Sequence, residues 1–569
     1  MRPASVSRVT MAVAALVCAL LAVPPPAALA ASYTKISGAG STWSSNALDQ
    51  WRRNVAANSG MTVNYAAVGS SVGREQFKNG TADFAVSEIP YGLTEAGMRD
   101  APPKRGYAYM PIVAGGTAFM YNLKIGGKKV TNLRLSGEVV TRIFTGKTTM
   151  WNAPEIRADN PGLTLPARRI IPVVRSDGSG TTAQLTTWMA KEHAGLWDDY
   201  CRRAGRSTPC GMTSYFPVVP GSSHIAKSGS LGVSGYTKQS HAEGAITYVE
   251  YSYAIKTGFP VAKMLNSSGY YVEPTASSVA VALLKARINS DKSSENYLTQ
   301  ILDGVYRSAD RRTYPLSSYS YMIVPTKAEQ PFTTAKGKTL GTFANYFLCD
   351  GQQQAEELGY SPLPKNLVEA GMEQVRRIPG APTASINIKS CRNPTFSSDG
   401  SNTLAKNAPY PKACDQRGSQ QCADGTAGAK QETPVKSGAS GGGSGGGSGG
   451  GSGSGGGTAS GSGSGGGTGG STAAGSTGGA GSTDGASGGT AGSSSGGVID
   501  PDTGEVIGTD STGDASVVGN PVTLASDDSV GLRGVLMALS AVLLLGVVVG
   551  PPITARALAS RNRRKEGFR

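Results

Sequence analysis

Histidine is almost missing from this chain. The three present in 569 residues, His193, His224 and His241, stand at no ligand spacing from one another. There is no Cys-x-x-Cys pair either, so the residue clusters that hold zinc or other metals are excluded and nothing calls for a cofactor. Catalytic signatures are equally scarce, with no His-Glu-x-x-His helix and no nucleophile set beside a base. Gly146-Lys147-Thr148 looks like the end of a phosphate loop, but Thr141 occupies the place of the required earlier glycine. Acidic residues are outnumbered, 39 Asp+Glu against 54 Lys+Arg, for a net charge of +15. No basic–aromatic motif accompanies that excess, which argues against nucleic acid as a partner. A surplus of this kind suits an anionic ligand or an anionic cell-wall polymer.

Glycine is plentiful, 79 residues, but unevenly spread. Roughly half of residues 437–497 are glycine and the rest mostly Ser, Thr and Ala, a composition that buries too little apolar surface to offset its ordering entropy. A flexible, disordered Gly/Ser-rich linker is therefore expected over 426–530. At the N-terminus, Arg2 and Arg8 precede an apolar run from Val9 to Val23 and then Ala28-Leu29-Ala30, the order of a secretory signal peptide over residues 1–30. At the other end no charge appears between Arg533 and Arg556, and Arg561, Arg563, Arg564 and Lys565 follow. That pattern predicts a transmembrane helix over 534–555 and a basic cytoplasmic tail over 556–569, with everything before them outside.

Six cysteines remain after signal cleavage: Cys201, Cys210, Cys349, Cys391, Cys414 and Cys422. An even number in an exported chain argues for disulfides. Spacing favours Cys201–Cys210 and Cys414–Cys422, leaving Cys349–Cys391, without excluding other pairings.

The remainder alternates β-like runs with helical periodicity, as an α/β fold does. Three strand-to-helix loops have the same physical character. Gly38-Ala39-Gly40-Ser41-Thr42-Trp43 enters a helical pattern at Asn46, and Gly69-Ser70-Ser71-Val72-Gly73 precedes another at Arg74. Arg175-Ser176-Asp177-Gly178-Ser179-Gly180-Thr181-Thr182 leads into a helix over 184–191. Each presents unpaired N–H groups and hydroxyls at a helix N-terminus, which favours an oxyanion. Arg175 supplies a bidentate donor and Asp177 orients it. A fourth stretch, residues 81–88, reads as a strand ending in the carboxylate of Glu88. A carboxylate beside an anion is useful only if the anion brings a proton, so this set selects a protonated phosphate over fully ionised sulfate.

These motifs, with Asp83-Phe84-Ala85-Val86-Ser87-Glu88, Ile143-Phe144-Thr145-Gly146-Lys147 and Gly244-Ala245-Ile246-Thr247-Tyr248, resemble the phosphate-binding proteins of ABC-type phosphate importers from about Ile36 to Ile378. The resemblance implies a two-lobed, type II periplasmic-binding-protein-like α/β fold with two crossovers between lobes. Lobe 1 is expected at 31–108 plus 289–379, lobe 2 at 109–288, and a cysteine-containing extension at 380–425. It further implies phosphate contacts at Thr42, Trp43 (backbone), Ser70, Glu88, Arg175, Ser179, Gly180 and Thr181, with Asp177 behind them, and ABC permease subunits as partners. Two departures stand out: Glu88 where the family commonly has Asp, and Trp43 where Phe is usual. A membrane-anchored receptor is the expected role. The alternatives are a surface scavenger or adhesion module without transport and, less favoured, a phosphatase.

Overall fold

A glycine-rich first strand sets the geometry of everything around the cleft. The computed structural model describes residues 33–433, apart from 96–97, 292, 295–296, 298, 383–387, 398 and 432, together with strands Val498–Ile499 and Val506–Ile507. The expected signal peptide, transmembrane helix and tail, and most of the linker, lie outside the described residues. Among those described, no helix is long and apolar enough to cross a membrane. The chain divides into two units at Gly447/Ser448. Of the second, the described part is one antiparallel pair, Val498–Ile499 with Val506–Ile507.

In the first unit, β1 (Ile36–Gly40) lies between β2 (Val63–Ala66) and β3 (Phe84–Ser87), parallel to both. Helix α1 (Ser45–Ser59) follows β1, and α2 (Ser70–Lys78) follows β2. The sequence placed Gly69–Gly73 in a loop, but the helix already begins at Ser70. Gly73 is inside it because α2 sits directly on β1: a Cβ there would lie 2.2 Å from the Cα of Gly40. A residue usually read as a helix breaker is here what lets the helix touch the strand.

The organising element is β4 (Tyr107–Tyr121), fifteen residues long and buried along almost all of its length. Its first part, through Gly116, pairs antiparallel with β9 (Ser317–Pro325), which in turn pairs with β3. Its last part, Thr117–Tyr121, pairs with β7 (Ala245–Glu250). Beyond β7 lie β5 (Ile171–Arg175) and β6 (Ile225–Lys227), both parallel within that group. The strand order is therefore β6-β5-β7-β4-β9-β3-β1-β2, with β8 (Val261–Leu265) also pairing β4. In the second lobe α3 (Gly137–Phe144), α4 (Gly180–Glu192), α5 (Ala194–Arg203), α6 (Gly229–Lys238) and α7 (Tyr251–Thr257) flank the strands.

Two aromatic-rich cores result. One holds Trp51, Phe77, Phe84, Tyr321, Phe343 and Phe347, and the other Phe119, Phe144, Trp151, Trp188, Trp197 and Tyr248. The two cores do not part at single points of the chain. Tyr109 to Ala114 belong to the first core, and Leu302 to Leu316 to the second. The first crossing lies along β4 between Ala114 and Phe119, while on the return Val279 and Leu283 already pack in the first core and Leu302 to Leu316 in the second. β4 continues as a strand through Gly115-Gly116, a dipeptide that usually marks a turn. Gly115 packs on Trp43 and Gly116 on Pro274 and Tyr314, leaving no room for a side chain.

All three disulfides follow the pairing that spacing favoured, with Cα–Cα distances of 6.1 Å for Cys201–Cys210, 5.0 Å for Cys349–Cys391 and 5.2 Å for Cys414–Cys422. Cys349–Cys391 fastens the extension to lobe 1 and Cys414–Cys422 closes a loop within it, and the extension forms a third link between the lobes. Cys391 joins it to the end of α9 (Thr334–Leu348), at Cys349. Ala405 and Ala408 then pack on α8 (Ala276–Leu283), the helix before the return crossing. Residues 413–433 finish on the second lobe. There Arg134 donates to Cys414 O and Ser419 O at 2.8 Å, and Lys263 pairs with Asp415 at 2.8 Å. Thr426 donates to Val261 O at 2.6 Å, and Thr433 Oγ1 accepts from Thr131 N at 2.8 Å. Residues 426–431 and 433 are thus part of the packed unit, not of the tether.

Arg134 is 1% exposed, donates also to Asp159 O and lies 4.4 Å over the Tyr271 ring. Arg134→Ala strands one buried and two part-buried carbonyls and is expected to cost about 3 kcal/mol in urea unfolding. A loss near zero would contradict the role given to the strap.

Candidate functional site

Four helix N-termini, those of α1, α2, α4 and α6, converge on the cleft between the lobes. The first two follow β1 and β2 of lobe 1 and the last two follow β5 and β6 of lobe 2, so each starts at the carboxyl end of a parallel strand. Such ends concentrate unpaired N–H groups and the positive pole of the helix dipole.

Glu88, one residue past β3, sits among them and is 1% exposed. Its Oε2 accepts from Ser41 Oγ at 2.8 Å and Ser70 Oγ at 2.9 Å, and its Oε1 accepts from Ser320 Oγ. Ser41 Oγ also accepts from the Trp43 N–H at 3.0 Å. From the other lobe, Gly180 N donates to Ser70 Oγ at 3.1 Å, and Gln184 Nε2 donates to Glu88 O at 2.8 Å. The carboxylate lies so close to α4 that a Cβ at Gly180 would be 1.9 Å from Oε2.

Arg175 closes the other side. Its guanidinium is held in a two-pronged pair with Asp177, 2.7 Å at Nε, and donates to Ser230 Oγ at 3.5 Å. Asp177 Oδ1 also accepts from Gly229 N at 2.9 Å. Burial raises the Asp177 carboxyl, but the Arg175 bonds and charge outweigh it and hold the group below the usual carboxylate range. Thr42 Oγ1 meets Ser230 Oγ at 2.8 Å across the cleft. Ser179 Oγ caps α4 by accepting from Thr182 N at 3.2 Å. Thr181 Oγ1 is buried without a hydrogen-bond partner, which is costly unless a ligand supplies one. All eight expected contact residues are thus buried around one cleft, with Asp177 behind Arg175. Two carboxylates and one guanidinium leave the immediate site short of positive charge, so attraction for an anion falls to amide dipoles and hydroxyl donors.

A profile described as the PBP superfamily domain matches residues 25–351. The phosphate-binding protein PstS of Xylella fastidiosa (strain Temecula1) is 31% identical over 345 residues, covering 61% of this chain and 86% of that protein. The phosphate-binding protein PstS3 of Mycobacterium bovis (strain BCG) is 31% identical over 332 residues, covering 58% and 82%. A solved phosphate-binding protein from Stenotrophomonas maltophilia is 18% identical, with a TM-score of 0.42 and coverage of 65% of this chain and 99% of that one. The chain belongs to the phosphate-binding protein family of the PBP superfamily.

Both departures from that family's usual residues find room here. The longer arm of Glu88 is accommodated because its neighbour across the cleft is the glycine at 180. Trp43 is fully buried, edge-on to Tyr360 at 5.7 Å and against Gly115, so the added ring atoms fill space at the crossing strand, away from the backbone N–H.

Several residues of this family member's cleft escaped the sequence reading. Ser230 bridges Thr42 and Arg175. Tyr248 accepts from Arg175 N at 3.1 Å and meets Thr182 Oγ1 at 2.7 Å. Tyr253 donates to Thr42 O at 2.5 Å. Glu95 reaches across the cleft mouth to accept from Ser214 Oγ at 2.6 Å and Tyr215 N at 2.9 Å. Ser230 lies in Ser228-Gly229-Ser230-Leu231-Gly232, a small-residue run feeding α6 like the three that were singled out, whereas Tyr248, Tyr253 and Glu95 lie in no such loop. The histidines lie apart from the site: His224 is bonded to Phe144 O at 2.9 Å, and His193 and His241 pack on Trp188 and Tyr236.

Gly180→Ala is expected to hold the lobes apart, raising the radius of gyration in small-angle scattering; an unchanged profile would contradict the contact with Glu88. Because the Asp177 carboxyl is held low, its contribution to stability is complete above the ordinary carboxylate value and is lost as pH falls through the lowered one. The melting-temperature gap between the wild type and Asp177→Asn is therefore expected at neutral pH and should shrink below about pH 4. A gap independent of pH would count against it.

Proposed function

We propose that this chain is the extracytoplasmic receptor of an ABC phosphate importer, taking one inorganic phosphate between its lobes and presenting it to the permease. The observation that carries the reading is the combination of an unpartnered buried hydroxyl, Thr181 Oγ1, with Arg175 and the α4 amides on one side and a buried acid, Glu88, on the other. The first set supplies donors for a tetrahedral oxyanion. Arg175 arrives already oriented by Asp177, so little rotamer freedom is lost on binding. Thr42, the Trp43 N–H, Ser70, Ser179 and Gly180 complete the ligand set. Glu88 gives the selectivity: as an acceptor it welcomes a P–OH and repels an oxyanion that has only lone pairs.

The relatives are receptors, and this chain is a binding protein and not an enzyme. Closure follows from the same contacts, since Thr42–Ser230, Ser70–Gly180 and Glu95–Ser214 all span the cleft. Anchoring to the cell membrane, with the binding domain outside and the C-terminus inside, rests on the uncharged run 534–555 and the basic residues after it.

Isothermal titration of the domain is expected to give one phosphate per chain. Arg175→Ala should weaken it by at least ~2 kcal/mol, because a charged donor is stripped from a closed site. Glu88→Gln should narrow the preference for phosphate over sulfate. An unchanged affinity in the first variant, or an unchanged sulfate-to-phosphate ratio in the second, would overturn the assignment of the respective residue.

A further inference from the structure

Three lysines meet at one turn of the second lobe. Shortly after β4, strands Lys124–Ile125 and Lys128–Lys129 pair antiparallel around Gly126-Gly127, whose φ of 56° and 79° are the left-handed values that a two-residue hairpin turn needs. The register sets Lys124 directly opposite Lys129 and Ile125 opposite Lys128. Like charges facing one another across a strand pair are destabilising. Among the described residues none of the three has an acidic partner. Glu273, the acid beside the end of the strap, is already taken by Lys430 at 3.4 Å and by Ala427 N at 2.6 Å. Lys129 Nζ lies 3.8 Å from the centre of the Phe259 ring, which holds the ammonium group without neutralising it. Burial first and the Lys124 charge second pull that ammonium below its ordinary value. An exposed fourth lysine, Lys256, stands in the last turn of α7, three residues before Phe259.

The hairpin lies at the end of lobe 2 away from the cleft. β7 runs antiparallel to β4, with Glu250 opposite Thr117 and Ile246 opposite Tyr121, and β5 runs parallel to β7 with Arg175 at its carboxyl end. Arg175 and the cleft therefore lie toward Thr117, and the hairpin beyond Tyr121. A partner held at the lysines leaves the ligand site uncovered. The strap ends at the same place. Thr131, two residues after Lys129, donates from N to Thr433 Oγ1 at 2.8 Å and from Oγ1 to Gln431 O at 2.7 Å. Beyond Thr433 the same chain continues to the uncharged run 534–555.

We propose that this hairpin is a docking surface for an anionic lipid bilayer: Lys124, Lys128 and Lys129, with Lys256 beside them, rest on phospholipid headgroups at the root of the tether while the cleft faces away. The choice of a bilayer over a free anionic polymer rests on the anchoring reading above, because only the bilayer is brought to the hairpin by the chain itself. Each lysine near an anionic surface is worth about fivefold in partitioning, a weak contact that a tether makes effective by turning it into an intramolecular one.

The test incorporates the full chain into lipid discs of phosphatidylcholine alone, or of phosphatidylcholine with phosphatidylglycerol, each carrying a trace of dansyl lipid, and reads energy transfer from tryptophan. Trp151 is a donor at the right end of the lobe, since its Nε1 donates to Gly244 O at 3.0 Å and Gly244 N to Asn122 O at 2.7 Å. Transfer is expected to be higher in the anionic discs and to fall to the neutral level at about 1 M salt, where the Debye length is about 3 Å. The triple variant Lys124→Gln, Lys128→Gln, Lys129→Gln is expected to lose the gain, its partitioning falling on the order of a hundredfold. Lys124→Gln alone removes one of the facing charges and should melt no lower than the wild type, and phosphate titration should be unchanged in every variant. Equal transfer in the two discs, or a gain that survives the triple substitution, would overturn the proposal. So would lysine-dependent binding to soluble poly(glycerol phosphate) without any gain in anionic discs. A chain that enters neither disc removes the anchoring reading instead. The free chain is then pelleted with phosphatidylglycerol vesicles, where lysine-dependent pelleting supports the hairpin and no pelleting rejects it.

Discussion

The cleft depends on a buried carboxylate placed where an anion is to bind. Glu88 is stable there because Ser41, Ser70 and Ser320 direct hydroxyl donors at it, and because Gly180 gives its longer arm room. Burying a charge is costly unless it is hydrogen-bonded, and this one is bonded from three separate elements. Those bonds tie the β1–α1 loop, α2 and β9 to a common point, and through Ser70 and Gln184 they also reach α4 of the other lobe. The acid proposed to read the ligand is thus also a joint of the lobe that carries it.

Around that joint the architecture divides labour between stiff and yielding parts. β4 runs through both lobes, and its Gly115–Gly116 step, packed on Trp43, Pro274 and Tyr314, marks where one core gives way to the other. Trp43 therefore has two duties, a backbone N–H at the cleft and a ring at the crossing. The strap from Cys391 to Thr433 joins the lobes a third time along the back. Its ends are fastened by Cys349–Cys391 on one side and by the Arg134 and Lys263 contacts on the other, where Cys414–Cys422 closes the loop they hold. Opening and closing must therefore work against a fixed link as well as two crossing segments.

Much of the cleft was legible in the sequence because its parts are local. Glycines followed by hydroxyl residues and a helical period announce a helix N-terminus, and Arg175-Ser176-Asp177 carries its own orienting acid two residues away. What was not legible depends on pairing. Ser320 has no motif and becomes meaningful only when β9 lies against β3, while Ser230 and Tyr248 matter only once β5, β6 and β7 are neighbours. The first crossing lies inside one continuous, largely apolar strand, where periodicity by itself marks no boundary. Residues 426–433 were assigned to the tether on composition, yet small residues are what the contact at Gly258 requires, where a Cβ on Gly428 would lie 2.6 Å from the Gly258 Cα.

The most direct test is a crystal structure of the domain grown with phosphate. The account predicts a tetrahedral anion in the cleft with oxygens within hydrogen-bond distance of Arg175, Gly180 N and Thr181 Oγ1, and one oxygen facing Glu88 at hydrogen-bond distance. A cleft holding only water at saturating phosphate, or an anion seated with Glu88 turned away from it, would contradict the claim that a fixed acid demands a hydrogen from its guest.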